Sequence, residues 1–309
     1  MSAGDVVLLA GGTGGAKLAR GIALAIGAER LTVIANTGDD IEIYGAYVSP
    51  DPDLVSFWLA GTIDERGWGL RGDTFAVMGA LRDLGVDVWF NLGDRDLAWC
   101  LERARMLAGG LSPTDALAAL NRAAGQRCPV LPMCDEPVRT WVRAHGRRWS
   151  LQEFLIRAGG AGPIDEVGYE GLRSARPTPE VHEALARARA VIVGPSNPVI
   201  SIGPILAVPG MRAAIAAARA DGTPVVAVSP IVEGAVLKGP TEEFLAALGQ
   251  PATAAGVAAL YEGVIDGIVA DEPVDGVPVL RTDTLMGDAA GRRRVAADTL
   301  RFAQALGAR

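Results

Sequence analysis

The chain has 309 residues, half of them hydrophobic and 21% charged, with a formal net charge of −7. That length and apolar content can bury a large core and exclude a disordered chain, while the acidic balance argues against a surface that coats nucleic acid. Cys100, Cys128 and Cys134 are odd in number and lack CxxC spacing, so they read as small buried residues, not a disulfide framework or zinc ribbon.

Residues 6–10 predict a buried strand that passes through Gly11-Gly12-Thr13-Gly14-Gly15-Ala16-Lys17 into a helix over 17–26. Such a turn either cradles a phosphate on Gly12, Thr13, Gly14 and Gly15 or is simply tight. It is not a Walker A loop, because Leu18 follows Lys17, and it lacks the last glycine of a dinucleotide fingerprint, which removes an NAD-dependent oxidoreductase. The first apolar run is too short to span a bilayer and no basic leader precedes it, so a cytoplasmic protein with no membrane partner is expected.

Further strands are predicted over 31–35, 86–92, 190–193, 224–228 and 267–270, and helices over 96–108, 114–124, 179–188, 210–220 and 292–306. Strands alternating with helices define an α/β protein with a parallel sheet covered on both faces. Residues 97–189 read as a mainly helical subdomain inserted into a single domain spanning 1–309.

Candidate chemistry follows the strand ends. Asn36-Thr37-Gly38-Asp39-Asp40, Ser49-Pro50-Asp51-Pro52-Asp53 and Asn91-Leu92-Gly93-Asp94-Arg95-Asp96 carry more aspartates than turns require, although any one of them can cap a helix. Gathered beside a phosphate they repel one another unless a cation intervenes, and Mg²⁺ held by one or two carboxylates plus substrate phosphates answers that need. Asp39, Asp40, Asp51 and Asp53 are therefore the joint metal candidates. His145 and His182 have no matching partners and read as surface residues. The loops from Gly194-Pro195-Ser196-Asn197 to Ser201 and from Ser229 to Lys238-Gly239-Pro240 either bring hydroxyls, amides and a cation to a nucleotide or are ordinary turns.

The order of motifs resembles the 2-phospho-L-lactate transferases that make the deazaflavin coenzyme F-420. It runs from GGTGG through NTGDD, SPDPD, GDRD, LPMCDEP and GPSNPVISIGPIL to VSPIVEGAVLKGP and RTDTLM, almost the whole chain. The resemblance implies a Rossmann-like three-layer sandwich and a homodimer. It implies transfer of a phosphorylated three-carbon acid from a guanosine diphosphate conjugate to 7,8-didemethyl-8-hydroxy-5-deazariboflavin, with release of GMP and dependence on Mg²⁺. It places deazariboflavin at Asp53 and Asn91, with Trp58, Phe75 and Trp89 as aromatic neighbours, and the guanosine nucleotide at Ser196, Asn197, Ser201 and Ser229. It implies a catalytic set drawn from Asp39, Asp40 and Asp53. The three-carbon acid is lactate, enolpyruvate or glycerate, with the bacterial flavour of Arg66-Gly67-Trp68-Gly69 and Gly72-Asp73-Thr74-Phe75 favouring enolpyruvate. The competing reading is a non-catalytic nucleotide-sugar-binding regulator sharing the glycine loop and the Gly-Pro turns.

Overall fold

The computed structural model describes residues 5–236 and 239–308; Lys238 lies outside them. Seven strands form one parallel sheet: β1 (Asp5–Ala10), β2 (Leu31–Ala35), β3 (Val130–Pro132), β4 (Ala188–Val193), β5 (Val225–Val228), β6 (Gly267–Ala270) and β7 (Val279–Arg281). Their spatial order is β3-β2-β1-β4-β5-β6-β7, all neighbours parallel. The direction of winding reverses between β1 and β4, which places the ligand crevice of such a sheet over the carboxyl ends of these two strands.

Among the described residues twelve α-helices connect and cover the strands: α1 (Gly12–Ile26), α2 (Pro50–Ala60), α3 (Ala76–Asp83), α4 (Asp94–Ala108), α5 (Pro113–Ala123), α6 (Leu151–Arg157), α7 (Pro179–Arg187), α8 (Ile202–Ala207), α9 (Met211–Ala220), α10 (Thr241–Ala247), α11 (Ala254–Leu260) and α12 (Ala289–Gly307). The two-residue period of a strand divides β1 between two cores. Val6, Leu8 and Ala10 pack with α1, α2 and α12, whereas Val7 and Leu9 pack with α7, α9 and α11. The result is the expected three-layer α/β arrangement. At about 1.5–3 kcal/mol for each fully buried aliphatic side chain, these two cores hold the sheet in register.

The strand expected over 86–92 does not form. Alternate residues Val88, Phe90 and Leu92 pack onto the hairpin of Ile41–Ile43 and Ala46–Val48 and onto α4 while Asp87 and Asn91 are exposed, and the alternation stops at Val86, which shares their parity but faces solvent. The edge position beside β2 is occupied by β3, so the segment has no strand to pair with. Residues 97–189, expected to be mainly helical, contribute β3 to the central sheet and a separate antiparallel sheet of Arg139–Ala144, Arg147–Ser150 and Ile164–Glu170. Among the described residues, no helix is long and apolar enough to cross a membrane.

Candidate active site

The glycine segment is the first turn of α1 rather than a loop before it. Helix α1 begins at Gly12, whose φ of +55° is in the left-handed region that favours glycine. Gly14 and Gly15 are small for another reason: a Cβ on either would collide with the Pro195 carbonyl or the Ser196 hydroxyl. The two strand-end segments, after β1 and after β4, are thus in close contact at the switch point. Ser196 Oγ accepts from Gly11 N at 3.0 Å and donates to Gly11 O. Asn197 Oδ1 accepts from Val199 N and Ile200 N at 2.9 and 3.1 Å, and its Nδ2 donates to Thr241 Oγ1 at 3.2 Å. Ser229 Oγ bonds the main chain of Ile231. All three side chains shape the crevice wall through bonds within the protein.

Asn36, buried at the end of β2, joins two of the predicted aspartates. Its Nδ2 donates to Asp51 Oδ2 at 2.9 Å and lies 3.4 Å from Asp39 Oδ1. Asp51 Oδ1 accepts from Gly12 N at 2.5 Å, and Asp51 itself lies in the first turn of α2, so two helix N-termini converge on one carboxylate. Ser201 also bonds Asp51. Gln152, from α6, reaches Asp39 Oδ2 at 3.2 Å. Asp40 accepts from Ser49 Oγ at 2.7 Å and from the Tyr47 hydroxyl at 2.9 Å.

These three carboxylates are buried and held by dipoles rather than by direct ion pairs. Burial pushes Asp40 up to about 7 and Asp51 up to about 6. Asp39 is raised well above the usual carboxylate range by burial first and then by the Asp51 and Asp40 charges. A divalent cation among them would reverse that penalty. The shared amide of Asn36 brings Asp39 and Asp51 together, which fits a metal held by two carboxylates and completed by substrate phosphates.

Asp53 belongs to a different environment. Two residues beyond Asp51 on α2, it points to the opposite side of the helix. It forms a buried ion pair with Arg103, also bonded through Nη1 at 3.0 Å, and accepts from Trp99 Nε1 at 2.7 Å. Burial is the largest single influence on Arg103 and lowers its pKa, but the Asp53 charge and hydrogen bond, with the Cys100 and Asp40 charges, together raise it above the usual guanidinium range. Asp53, Asp96 and Cys100 are the one group among the described residues whose potential ligand atoms lie within 4.8 Å of one another. A guanidinium already bonded to both Asp53 oxygens opposes a cation there. Of the four aspartates expected as one set, Asp39 and Asp51 share the Asn36 amide, Asp40 acts on Asp39 through its charge while bonding Ser49 and Tyr47, and Asp53 stands apart; among the described residues the first three do not gather their ligand atoms within 4.8 Å.

Asn91, expected on the acceptor side, is exposed and its Oδ1 accepts from Arg82 at 3.1 Å. Asp73 and Asp94 are helix caps: Asp73 accepts from Arg95 N and Asp96 N, and Asp94 from Ala76 N and Val77 N. Three aromatic groups are separate rather than one platform. Arg292 stands over Trp58, Arg157 over Trp89, and Trp68 tilts against Phe75 with Arg66 over both. His145 and His182 are exposed, and the three cysteines are buried and free. Sequence reasoning missed Tyr47, Arg103, Arg139 and Gln152; only Arg103 left a signal, since Asp96, Cys100 and Arg103 recur along one face of α4.

A doubly wound parallel sheet with buried carboxylates over its switch point defines a class of α/β proteins suited to phosphorylated ligands. Within that class the chain belongs to the 2-phospho-L-lactate transferase family. The family described as 2-phospho-L-lactate transferase CofD matches residues 6–306. A phosphoenolpyruvate transferase of Kitasatospora aureofaciens is 43% identical over 274 residues, covering 86% of this chain and 84% of that one. A 2-phospho-L-lactate transferase of Methanopyrus kandleri is 37% identical, covering 97% and 98% of the two chains. Among solved structures, a UPF0052-family protein of Bacillus halodurans shares the fold, with a TM-score of 0.66 at 17% identity over 97% of this chain and 99% of that one.

Proposed function

We propose that the protein transfers 2-phospholactate or phosphoenolpyruvate from a guanosine diphosphate conjugate to 7,8-didemethyl-8-hydroxy-5-deazariboflavin, releasing GMP, as a step of coenzyme F-420 biosynthesis. The observation that carries this reading is the family match across residues 6–306, joined to the three buried carboxylates at the sheet's switch point. The terminal ribityl hydroxyl attacks the phosphorus bearing the acid, an O–P bond forms as the bond to GMP breaks, and the hydroxyl proton passes to Asp40. A carboxylate raised to about 7 is suited to that transfer near neutral pH.

Gly12, Thr13, Gly14 and Gly15, with Ser196, Asn197, Ser201 and Ser229, line the guanosine side, and Asp53 and Asn91 the acceptor side. Asp39 and Asp51 would hold Mg²⁺ together with the donor's phosphates; when bound, the metal supplies charge neutralisation for the leaving GMP. The protein works as a cytoplasmic homodimer. The regulatory alternative rests on the shared glycine loop and Gly-Pro turns, and the match to the transferase family across residues 6–306 speaks against it. Incubation with guanosine conjugates of lactate, enolpyruvate and glycerate, deazariboflavin and Mg²⁺, followed by mass spectrometry, tests the proposal. A deazaflavin phosphodiester and GMP are expected; GDP-conjugate binding with no product from any donor would favour the regulator, and sedimentation at the monomer mass would remove the dimer.

A further inference from the structure

Arg139 opens the antiparallel strand Arg139–Ala144, which is tied to the acidic loop by Thr140 N donating to Gly38 O at 2.6 Å. Its Nη1 donates to Val138 O at 2.9 Å, its Nη2 donates to the Tyr47 hydroxyl at 3.1 Å, and the guanidinium lies 5.6 Å from the Tyr47 ring centre. The Tyr47 hydroxyl continues to Asp40 at 2.9 Å. A guanidinium has five N–H groups, and these two bonds leave three. Among the described residues no carboxylate oxygen stands within 4.0 Å of it, in contrast to Arg103, which the Asp53 carboxylate fully engages. Arg139 is only partly buried, and its charge acts on both Asp39 and Asp40. A fixed cation with open donors therefore borders Asp39 and Asp40.

We propose that Arg139 receives the carboxylate of the donor's three-carbon acid, and so makes the site specific for acid-bearing donors. This rests on the transferase reading above. Tyr47 fixes the plane of the guanidinium by its hydrogen bond and by its ring, which presents the remaining N–H groups as a fork matched to a carboxylate. Carboxylate recognition at this point orients the acid beside Asp40, where the acceptor hydroxyl loses its proton. A phosphate is the other anion that the fork could take, and the donors chosen for the test separate the two.

The test uses the whole protein with deazariboflavin, Mg²⁺ and two guanosine diphosphate esters, of lactate and of isopropanol, the second carrying a methyl group in place of the carboxylate. Wild type should prefer the lactyl donor by about a hundredfold in kcat/KM, and Arg139→Gln should reduce the preference to within about threefold by slowing only the lactyl donor. Arg139→Lys, which keeps charge without the fork, should retain a preference of about tenfold. Tyr47→Phe should slow both donors together and keep most of the preference. Calorimetric binding of GDP, unchanged in Arg139→Gln, shows that the variant is folded. If Arg139→Gln slows both donors equally, or weakens GDP, the residue serves Asp40 or a phosphate and the proposal is overturned. Wild type inactive with both of these donors and with the enolpyruvyl conjugate as well would remove the transferase reading itself.

Discussion

Asp51 and Asp53 lie two residues apart on α2, equally buried, yet their surroundings differ in kind. Asp53 meets a guanidinium and an indole N–H; Asp51 meets an asparagine amide, a serine hydroxyl and the backbone N–H that opens α1. A buried carboxylate matched by a full opposite charge holds structure together and loses freedom to bind anything else. One held only by dipoles keeps unneutralised charge, which burial makes costly and a cation or proton relieves. The difference teaches that Asp53 is already neutralised by Arg103, whereas Asp39, Asp40 and Asp51 keep the unneutralised charge on which the proposed metal and proton chemistry rests.

The sharpest way to break this comparison is to neutralise Asp53. Asp53→Asn leaves Arg103 buried without its counter-ion, which should cost about 3–5 kcal/mol of stability. From sequence alone the same substitution is expected to slow chemistry while leaving the fold intact; the Arg103 pair adds a folding cost to it. Combining Asp53→Asn with Arg103→Met should restore most of the loss in urea unfolding. A single variant as stable as wild type would mean that the pair contributes little.

Asp39→Asn should behave in the opposite way. It removes one of three carboxylates that burial and mutual repulsion oppose, so the metal-free protein should melt at the same or a higher temperature at pH 8. Turnover should nevertheless fall by about 10²–10⁴-fold, the range for a lost polar catalytic group. Thermal melts and product formation measured on one preparation check both signs, and a destabilised variant with full activity would reverse the roles given to the two sides of α2.

Much of the framework was legible because it is local. Apolar runs such as Val6–Ala10 and Gly267–Ala270, each ended by a turn, form strands wherever they are placed. Which strand neighbours which was less legible: the 86–92 alternation has the right period, but β3 holds the sheet edge. The aspartates themselves stood out in NTGDD and SPDPD. Their division did not, since it depends on Arg103, 50 positions from Asp53, and on a helix that turns residues 51 and 53 to opposite sides. Arg139 and Gln152 reach the site from a separate sheet and from α6, where neighbouring residues carry no pattern of their own.

A smaller effect should distinguish the two sides by pH. Asp40 and Asp51 titrate at about 7 and about 6 in the folded protein, above the ordinary value near 3.8. Because the folded values are raised, the stability associated with the protonated groups is present below about pH 4 and is lost as pH rises through 6–7. Mg²⁺ should replace it: at a hundredfold excess over its dissociation constant a ligand contributes about 2.7 kcal/mol. The melting temperature should therefore rise with Mg²⁺ at pH 8 and much less at pH 5. An equal rise at both values, or one abolished by Asp53→Asn alone, would place the cation elsewhere.

The smallest effect expected is at Asn91, proposed for the acceptor side and far less buried than Asp39, Asp40, Asp51 or Asp53. Its one described side-chain bond, from Arg82, is at the surface, so Asn91→Ala should change stability by no more than about 0.5 kcal/mol. A contact with deazariboflavin would be a single hydrogen bond, worth about 1 kcal/mol, or roughly fivefold in affinity. Calorimetric titration should show that weakening for deazariboflavin and none for GDP, with kcat nearly unchanged because Asn91 makes no described bond to the residues of the proposed proton transfer. If GDP weakens instead, the nucleotide extends across α4 and the acceptor must enter from the Ser196 side; if neither ligand responds, Asp53 and Arg103 define the acceptor side without Asn91.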